Sequence, residues 1–130
     1  MEDAGNATFL VLSAKPLPAS AHEALVASAH KLGHADAAFA FTASCTPRDV
    51  AMLVHRFDPW SVVAVDEESV EALKAAFAKE AADFGPDHPT MVRGYRFVAV
   101  PGFAQCLEDQ EAKRAAWQRL KAAQHPGAPY

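Results

Sequence analysis

The stretch from Thr8 to Ala14 reads Thr-Phe-Leu-Val-Leu-Ser-Ala, and the segment Lys15-Pro16-Leu17-Pro18 closes it. A strand with one solvated face alternates polar with apolar residues, whereas this run is apolar on both faces. The pattern predicts the central strand of a parallel sheet that is covered by helices on both sides. The rest of the chain is expected to form layers around this strand.

Three further strands are predicted, and the segments between them have helical periodicity. The predicted strands are Ala38 to Ala43, Trp60 to Val65 and Tyr95 to Val100. Helices are expected after the S-x-x-E pattern at Ser20, after the cap Thr46-Pro47-Arg48-Asp49, after Asp66, and from about Asp109 to Ala123. The segment from Gly85 to Gly94 is predicted to be the longest loop.

This alternation of strands and helices predicts the fold class. We expect a single α/β domain over residues 1–130, a three-layer α/β/α sandwich around a four-stranded, mostly parallel sheet with strand order 2-1-3-4. The segment Ala38 to Ala43 is placed at a sheet edge, with Phe39 and Phe41 on one face. Residues 1–7 and 125–130 are expected to be flexible ends.

Composition excludes several classes of protein. The 130 residues have a formal net charge of −4, which disfavours direct nucleic-acid binding as the main role. No apolar run approaches the roughly 20 residues that span a bilayer, so no membrane partner is expected. Two cysteines do not make a disulfide framework, which is typical of a reducing compartment and predicts a cytoplasmic protein. The last twenty residues contain four basic side chains and one acidic, so the final helix is the predicted basic surface.

The loops after the predicted strands contain no recognisable catalytic pattern. They are Lys15 to Ala19, Ser44 to Thr46, Asp66 to Ser69 and Pro101 to Cys106. The first has no glycine, so it cannot form a phosphate-binding loop. The acids Asp66, Glu67, Glu68 and Glu71 are explained by the electrostatics of a helix N-terminus, and the histidines at 22, 30, 34 and 55 are interpreted as surface residues. No catalytic residue, cofactor site or metal site is predicted.

Cys45 supports an alternative hypothesis. It follows a strand and precedes a helix N-terminus, an environment that makes a thiol more acidic and more nucleophilic. The alternative is therefore a small cytosolic α/β enzyme or ligand-binding domain with Cys45 near the strand-tip cleft. Cys106 is expected at the opposite edge of the sheet, so the two cysteines should not pair.

Three segments resemble one protein family. They are Phe9 to Pro18, the segment Thr46-Pro47-Arg48-Asp49-Val50-Ala51-Met52-Leu53, and the ending Ala112-Lys113-Arg114-Ala115-Ala116-Trp117-Gln118-Arg119-Leu120. In this order they resemble the psi subunit of the bacterial DNA polymerase III holoenzyme. The resemblance implies a fold similar to uracil-DNA glycosylases without the catalytic groups, and protein partners such as chi-like or clamp-loader subunits. Because about seven residues precede the first strand, we expect no clamp-loader contact through an extended N-terminal segment.

The sequence thus predicts a non-catalytic protein–protein adaptor that acts in DNA replication or repair. Two partner-binding surfaces are predicted: the edge strand with Phe39 and Phe41, and the outer face of the last helix with Lys113, Arg114 and Lys121. Direct binding of nucleic acid by that helix is the remaining hypothesis, and it predicts an affinity that falls steeply with salt.

Overall fold

A computed structural model describes residues 8–34, 37–85 and 89–124, in which five strands form one mixed sheet. The strands are β1 (Phe9–Ser13), β2 (Ala37–Phe41), β3 (Ser61–Ala64), β4 (Thr90–Val92) and β5 (Tyr95–Ala99). Their order across the sheet is β2-β1-β3-β5-β4. The ends predicted to be flexible, residues 1–7 and 125–130, lie outside the described residues.

Helices occupy both faces of the sheet, and the predicted α/β class is confirmed. They are α1 (Ala19–Lys31), α2 (Pro47–Phe57), α3 (Glu67–Ala76), α4 (Phe103–Cys106) and α5 (Gln110–Leu120), with a 3₁₀ turn over Lys121–Ala123. The final helix was expected to continue to Ala123, but its last three residues tighten into that turn. A tighter last turn is a common way to bond the terminal carbonyl groups of a helix.

The strand β1 is buried along its whole length and separates two hydrophobic clusters. Leu10 and Leu12 pack on the face that α2 and α3 cover, while Phe9 and Val11 pack on the face that α1 and α5 cover. It pairs in parallel with β2 on one side and with β3 on the other. A strand buried on both faces needs the unbroken apolar sequence that this one has.

The expected number of four strands is wrong, because part of the predicted loop 85–94 forms a fifth strand. β4 pairs antiparallel with β5, and the two are joined by Arg93 and Gly94. Both turn residues have positive φ, 52° and 89°, which is the backbone of the tightest hairpin turn. The predicted loop thus contains the edge strand β4 and its turn, and residues 86–88 lie outside the described part.

Two of the helix caps predicted from the sequence form, and one does not. In α2, the Thr46 hydroxyl accepts the Asp49 N–H at 3.1 Å and the Asp49 carboxylate accepts the Thr46 N–H at 3.0 Å. In α3, Asp66 and Ser69 form the equivalent reciprocal pair. The expected capping box at Ser20 is wrong, since α1 begins at Ala19 and no side chain caps it. Pro18 stands at the cap position, where its fixed φ directs the chain into the helix.

His34 is buried, so its interpretation as a surface histidine is wrong. Its side chain is 2% exposed, and its ring packs against Phe9 with centroids 5.0 Å apart. Nδ1 lies 2.7 Å from the Thr8 hydroxyl, and Nε2 lies 2.7 Å from the carbonyl oxygen of Ala123. That carbonyl also accepts the Ser61 hydroxyl at 3.0 Å. These bonds tie the 3₁₀ turn to the amino ends of β1 and β3.

Candidate functional site

The loops that follow β1, β3 and β5 form a cleft of about 350 Å³ at the carboxyl ends of these strands. We call it the strand-tip cleft, and it is lined by residues 14–18, 65–68, 104 and 105. In an open parallel sheet this is the usual place for a ligand. Three of the four predicted loops therefore meet here, whereas the loop of Cys45 does not line the cleft.

Asp66 is the best-placed carboxylate of the strand-tip cleft, and both of its oxygens are bonded to the backbone. Oδ2 accepts the Ala14 N–H at 2.8 Å, and Oδ1 accepts the Ser69 N–H at 2.8 Å. The carboxylate thus joins the end of β1 to the first turn of α3. Glu67 and Glu68, the next residues along the cleft, are exposed. This arrangement holds the loops in place and gives Asp66 a structural role.

Both cysteines are free thiols that pack against the protein interior. The Cys45 sulfur lies 3.5 Å from the carbonyl oxygen of Phe41, to which the thiol donates. The Cys106 thiol donates to the carbonyl oxygen of Phe103 at 2.9 Å. Burial raises the pKa of Cys106 above its ordinary value, and the charge of Lys113 opposes this shift only in part. Such a thiol is less reactive than an exposed one.

Within residues 8–34, 37–85 and 89–124, no group of three or more His, Cys, Asp or Glu side chains is placed to hold a metal ion. Among the helices of those same ranges, none has the length and apolar character that crossing a bilayer requires.

The first predicted contact surface is the edge strand β2. Phe39 is half-buried, and the ring of His22 stacks on it with centroids 4.0 Å apart. Phe41 is 48% exposed at the carboxyl end of the strand. β2 pairs with β1 on one side and forms the edge of the described sheet on the other. An exposed aromatic ring on such an edge is suited to contact with another chain.

The second predicted contact surface is the outer face of α5 and its 3₁₀ turn. Lys113, Arg114 and Lys121 are all exposed, while Ala116 and Leu120 are buried under the helix. A groove of about 160 Å³ runs beside Lys113, lined by apolar side chains of α1, α4 and α5, including Trp117. The sequence did not reveal this groove, since α4 has only four residues and no helical pattern to detect.

The two predicted contact surfaces are separate. α5 packs against β5, whereas β2 lies at the far edge of the sheet beyond β1 and β3. α1 packs between them, and its Lys31 ammonium sits 5.6 Å from the centre of the Trp117 ring. A single small partner would therefore contact one of the two surfaces rather than both.

A second cleft of about 350 Å³, at the amino ends of the strands, was not anticipated from the sequence. Trp60 was predicted inside a strand, but it precedes β3 and is exposed at this cleft together with Arg93. The Tyr95 hydroxyl lies 3.0 Å from Nδ1 of His55. Burial first, and then a hydrogen bond to Asp58, raise the pKa of Tyr95. These contacts join residues that are far apart in the sequence, so no local motif predicts them.

Comparison with known proteins adds no assignment to these surfaces. No protein-family model, no curated protein and no solved structure matches this chain.

Proposed function

We propose that this chain is a non-catalytic cytoplasmic adaptor that joins other proteins in DNA replication or repair, in the manner of the psi subunit that it resembles. The observation that carries the proposal is the contrast between the strand-tip cleft and the two contact surfaces. The Asp66 carboxylate of the cleft accepts hydrogen bonds from the backbone N–H groups of Ala14 and Ser69. By contrast, the side chains of Phe41, Lys113, Arg114 and Lys121 are exposed.

A catalytic role has less support from the geometry. Cleavage of a glycosidic bond, the chemistry of the glycosylases with a similar implied fold, needs an activated water and a stabilised leaving base. None of the residues that the first and last loops contribute to the strand-tip cleft is acidic. They are Ala14, Lys15, Pro16, Leu17, Pro18, Ala104 and Gln105. The carboxylates that line the cleft, Asp66, Glu67 and Glu68, come from the middle loop, and each Asp66 oxygen already accepts one backbone N–H.

The chemistry of α5 indicates what a partner should offer. Three exposed cations on one short segment attract an acidic surface, and the exposed groove beside Lys113 can take an apolar side chain. A chi-like or clamp-loader subunit with an acidic segment is the expected partner. The overall charge of −4 would disfavour a nucleic acid at the same surface.

The proposal is tested by affinity capture from the cytosol of the organism that encodes the chain, with identification of the captured proteins by mass spectrometry. We expect a replication or repair protein, enriched over capture with a matched unrelated bait. Recovery of no such protein would count against the adaptor role.

The alternative of a Cys45-dependent enzyme or binding domain has no specific observation in its favour. Cys45 lies outside the lining of the strand-tip cleft, and its thiol donates to a backbone carbonyl.

A further inference from the structure

The groove beside Lys113 and Trp117 has the size of one side chain. Its volume is about 160 Å³, whereas sites for small-molecule ligands measure roughly 300–1,000 Å³. A cavity of about 150 Å³ holds one benzene molecule, so this groove has room for one aromatic or branched aliphatic side chain. Its lining includes Ala24 and Ser28 of α1 and Leu107 after α4. We call it the Trp117 groove, and a single inserted side chain is the occupant that its size favours.

Three lysines stand beside the Trp117 groove. Lys113 lines it, and the Lys31 ammonium of α1 lies 5.6 Å from the centre of the Trp117 ring. Lys121 follows Trp117 by four residues, a spacing that places two side chains on the same side of a helix. All three lysines are exposed. The surface complementary to an apolar groove with lysines around it is an acidic one that carries an apolar side chain.

The acidic residues of the two long helices that flank the groove lie toward one end of it. α1 and α5 run in the same direction along the sheet. Glu23 and Glu111 lie near the beginnings of these helices, and neither helix has an Asp or Glu after them. The other end of the groove is the end with Lys31 and Lys121. Carboxylates of a partner are therefore attracted to that end.

We propose that the Trp117 groove binds an acidic segment of a partner protein, with one apolar side chain inserted beside Trp117 and carboxylates placed against Lys31 and Lys121. The inference rests on the proposed adaptor role for the partner being a protein of replication or repair, whereas the binding mode follows from the groove and its lysines. One apolar anchor with exposed charges around it gives a weak contact, and the contact weakens further as salt screens the charges.

NMR titration of the full chain with a synthetic peptide tests this binding mode. The probe is a peptide with blocked termini and one phenylalanine between two pairs of aspartates. We expect it to shift the indole N–H signal of Trp117 and not that of Trp60, although Trp60 is the more exposed of the two. A Trp60→Phe variant assigns the two signals. A peptide with serine in place of the phenylalanine should bind at least about tenfold more weakly, because it lacks the apolar anchor.

A first pair of variants tests the groove itself. Ala24→Leu places a larger side chain in the lining and should weaken binding of the probe about tenfold, because it occupies the space of the anchor. Ala27→Leu, an exposed position on the same helix, is the matched control and should bind like wild type. Circular dichroism confirms that both variants are folded.

A second pair of variants tests the lysines and leaves the groove unchanged. The double variant with Lys31→Glu and Lys121→Glu should weaken binding about tenfold at low salt, because attraction becomes repulsion, and less at high salt. The matched control has Arg48→Glu and Lys79→Glu, two exposed positions elsewhere on the chain that give the same change in net charge. It should bind like wild type.

The proposal is overturned if the probe leaves the Trp117 signal unshifted up to about 2 mM, where even a weak complex is populated. It is also overturned if the serine peptide binds equally well, or if the test variants bind like their controls. A Trp117 shift on raising the protein concentration without peptide would assign the groove to a second copy, and a shift on removing residues 125–130 would assign it to the chain's own end. Either result overturns the proposal. Failure of the capture from cytosol would instead count against the adaptor role and not against this binding mode.

Discussion

Nε2 of His34 lies 2.7 Å from the carbonyl oxygen of Ala123, although 89 positions separate the two residues in the chain. A carbonyl oxygen only accepts hydrogen bonds, so Nε2 carries a hydrogen, and in the neutral ring Nδ1 then accepts the hydroxyl hydrogen of Thr8. The bond connects the end of α1 to the last described turn. Together with the Ser61 hydroxyl, which donates to the same carbonyl, His34 holds this turn against the amino ends of two central strands.

Replacing His34 with alanine should therefore destabilise the fold. The change leaves a cavity and removes the partner of the half-buried Thr8 hydroxyl, for a combined cost of about 3 kcal/mol in the free energy of unfolding. Urea unfolding monitored by circular dichroism measures it. His30→Ala, an exposed position four residues earlier, is the control and should change stability by less than about 0.5 kcal/mol. Equal effects of the two variants would contradict the role of the buried network.

Asp66 is predicted to be a structural residue of the strand-tip cleft. Asp66→Ala removes the cap of α3 and the acceptor of the Ala14 N–H, and should lower stability by about 2 kcal/mol. Asp66→Asn keeps one acceptor oxygen and should lose less. Glu68→Ala, in the same helix turn but exposed, should cost no more than roughly 0.5 kcal/mol. Chemical unfolding separates the three variants, and an Asp66→Ala protein as stable as wild type would refute the assignment.

Tyr95 should make the fold sensitive to alkaline pH. Its pKa is raised in the folded state, by burial and then by Asp58, so the folded chain holds the phenolic proton more tightly than the unfolded chain. The stabilisation is present below the ordinary value of about 10 and is lost as pH rises through the raised one. Urea midpoints measured at about pH 9 and about pH 11 should fall more steeply for wild type than for Tyr95→Phe. Parallel decreases would show that Tyr95 does not contribute.

Neither thiol should react faster than free cysteine. Because burial raises the pKa of Cys106, iodoacetamide should alkylate it more slowly than free cysteine at about pH 8. Cys45 is half-buried and bonded to the Phe41 carbonyl, so it should react no faster than free cysteine. Peptide mass spectrometry of wild type, Cys45→Ser and Cys106→Ser resolves the sites. A Cys45 that alkylates much faster than free cysteine would revive the alternative of a thiol-dependent enzyme.

The sequence predicted correctly the structural elements that depend only on residues close together in the chain. The apolar run at Phe9, the reciprocal cap of Thr46 and Asp49, and the cap at Asp66 are all visible within a few residues. β4 was missed because its turn is Arg93-Gly94, and arginine seldom adopts the positive φ that Asn or Asp would have signalled. The predicted surface exposure of His34 was wrong for a different reason. Its hydrogen-bond partners, Thr8 and Ala123, lie far from it in the sequence.

Of the candidate surfaces, the sequence located the exposed residues but not their arrangement. Lys113, Arg114 and Lys121 are exposed as their spacing opposite Leu120 predicted. Their separation from Phe41 depends on the order of the strands and on α1 packing between the two surfaces. The groove beside Trp117 requires α1 to pack against α4 and α5, which lie far from it in the sequence, so no window of residues could have shown it.

The adaptor role is tested most directly by quantitative capture from native cytosol with three baits. The first is wild type, and the second reverses three charges of the α5 surface, with Lys113→Glu, Arg114→Glu and Lys121→Glu. The third is a matched control that reverses three exposed charges elsewhere, with Arg48→Glu, Arg56→Glu and Lys79→Glu. We predict that a replication or repair protein is recovered with the first and third baits and lost with the second. Equal recovery with all three baits, or no such protein with wild type, would contradict the account.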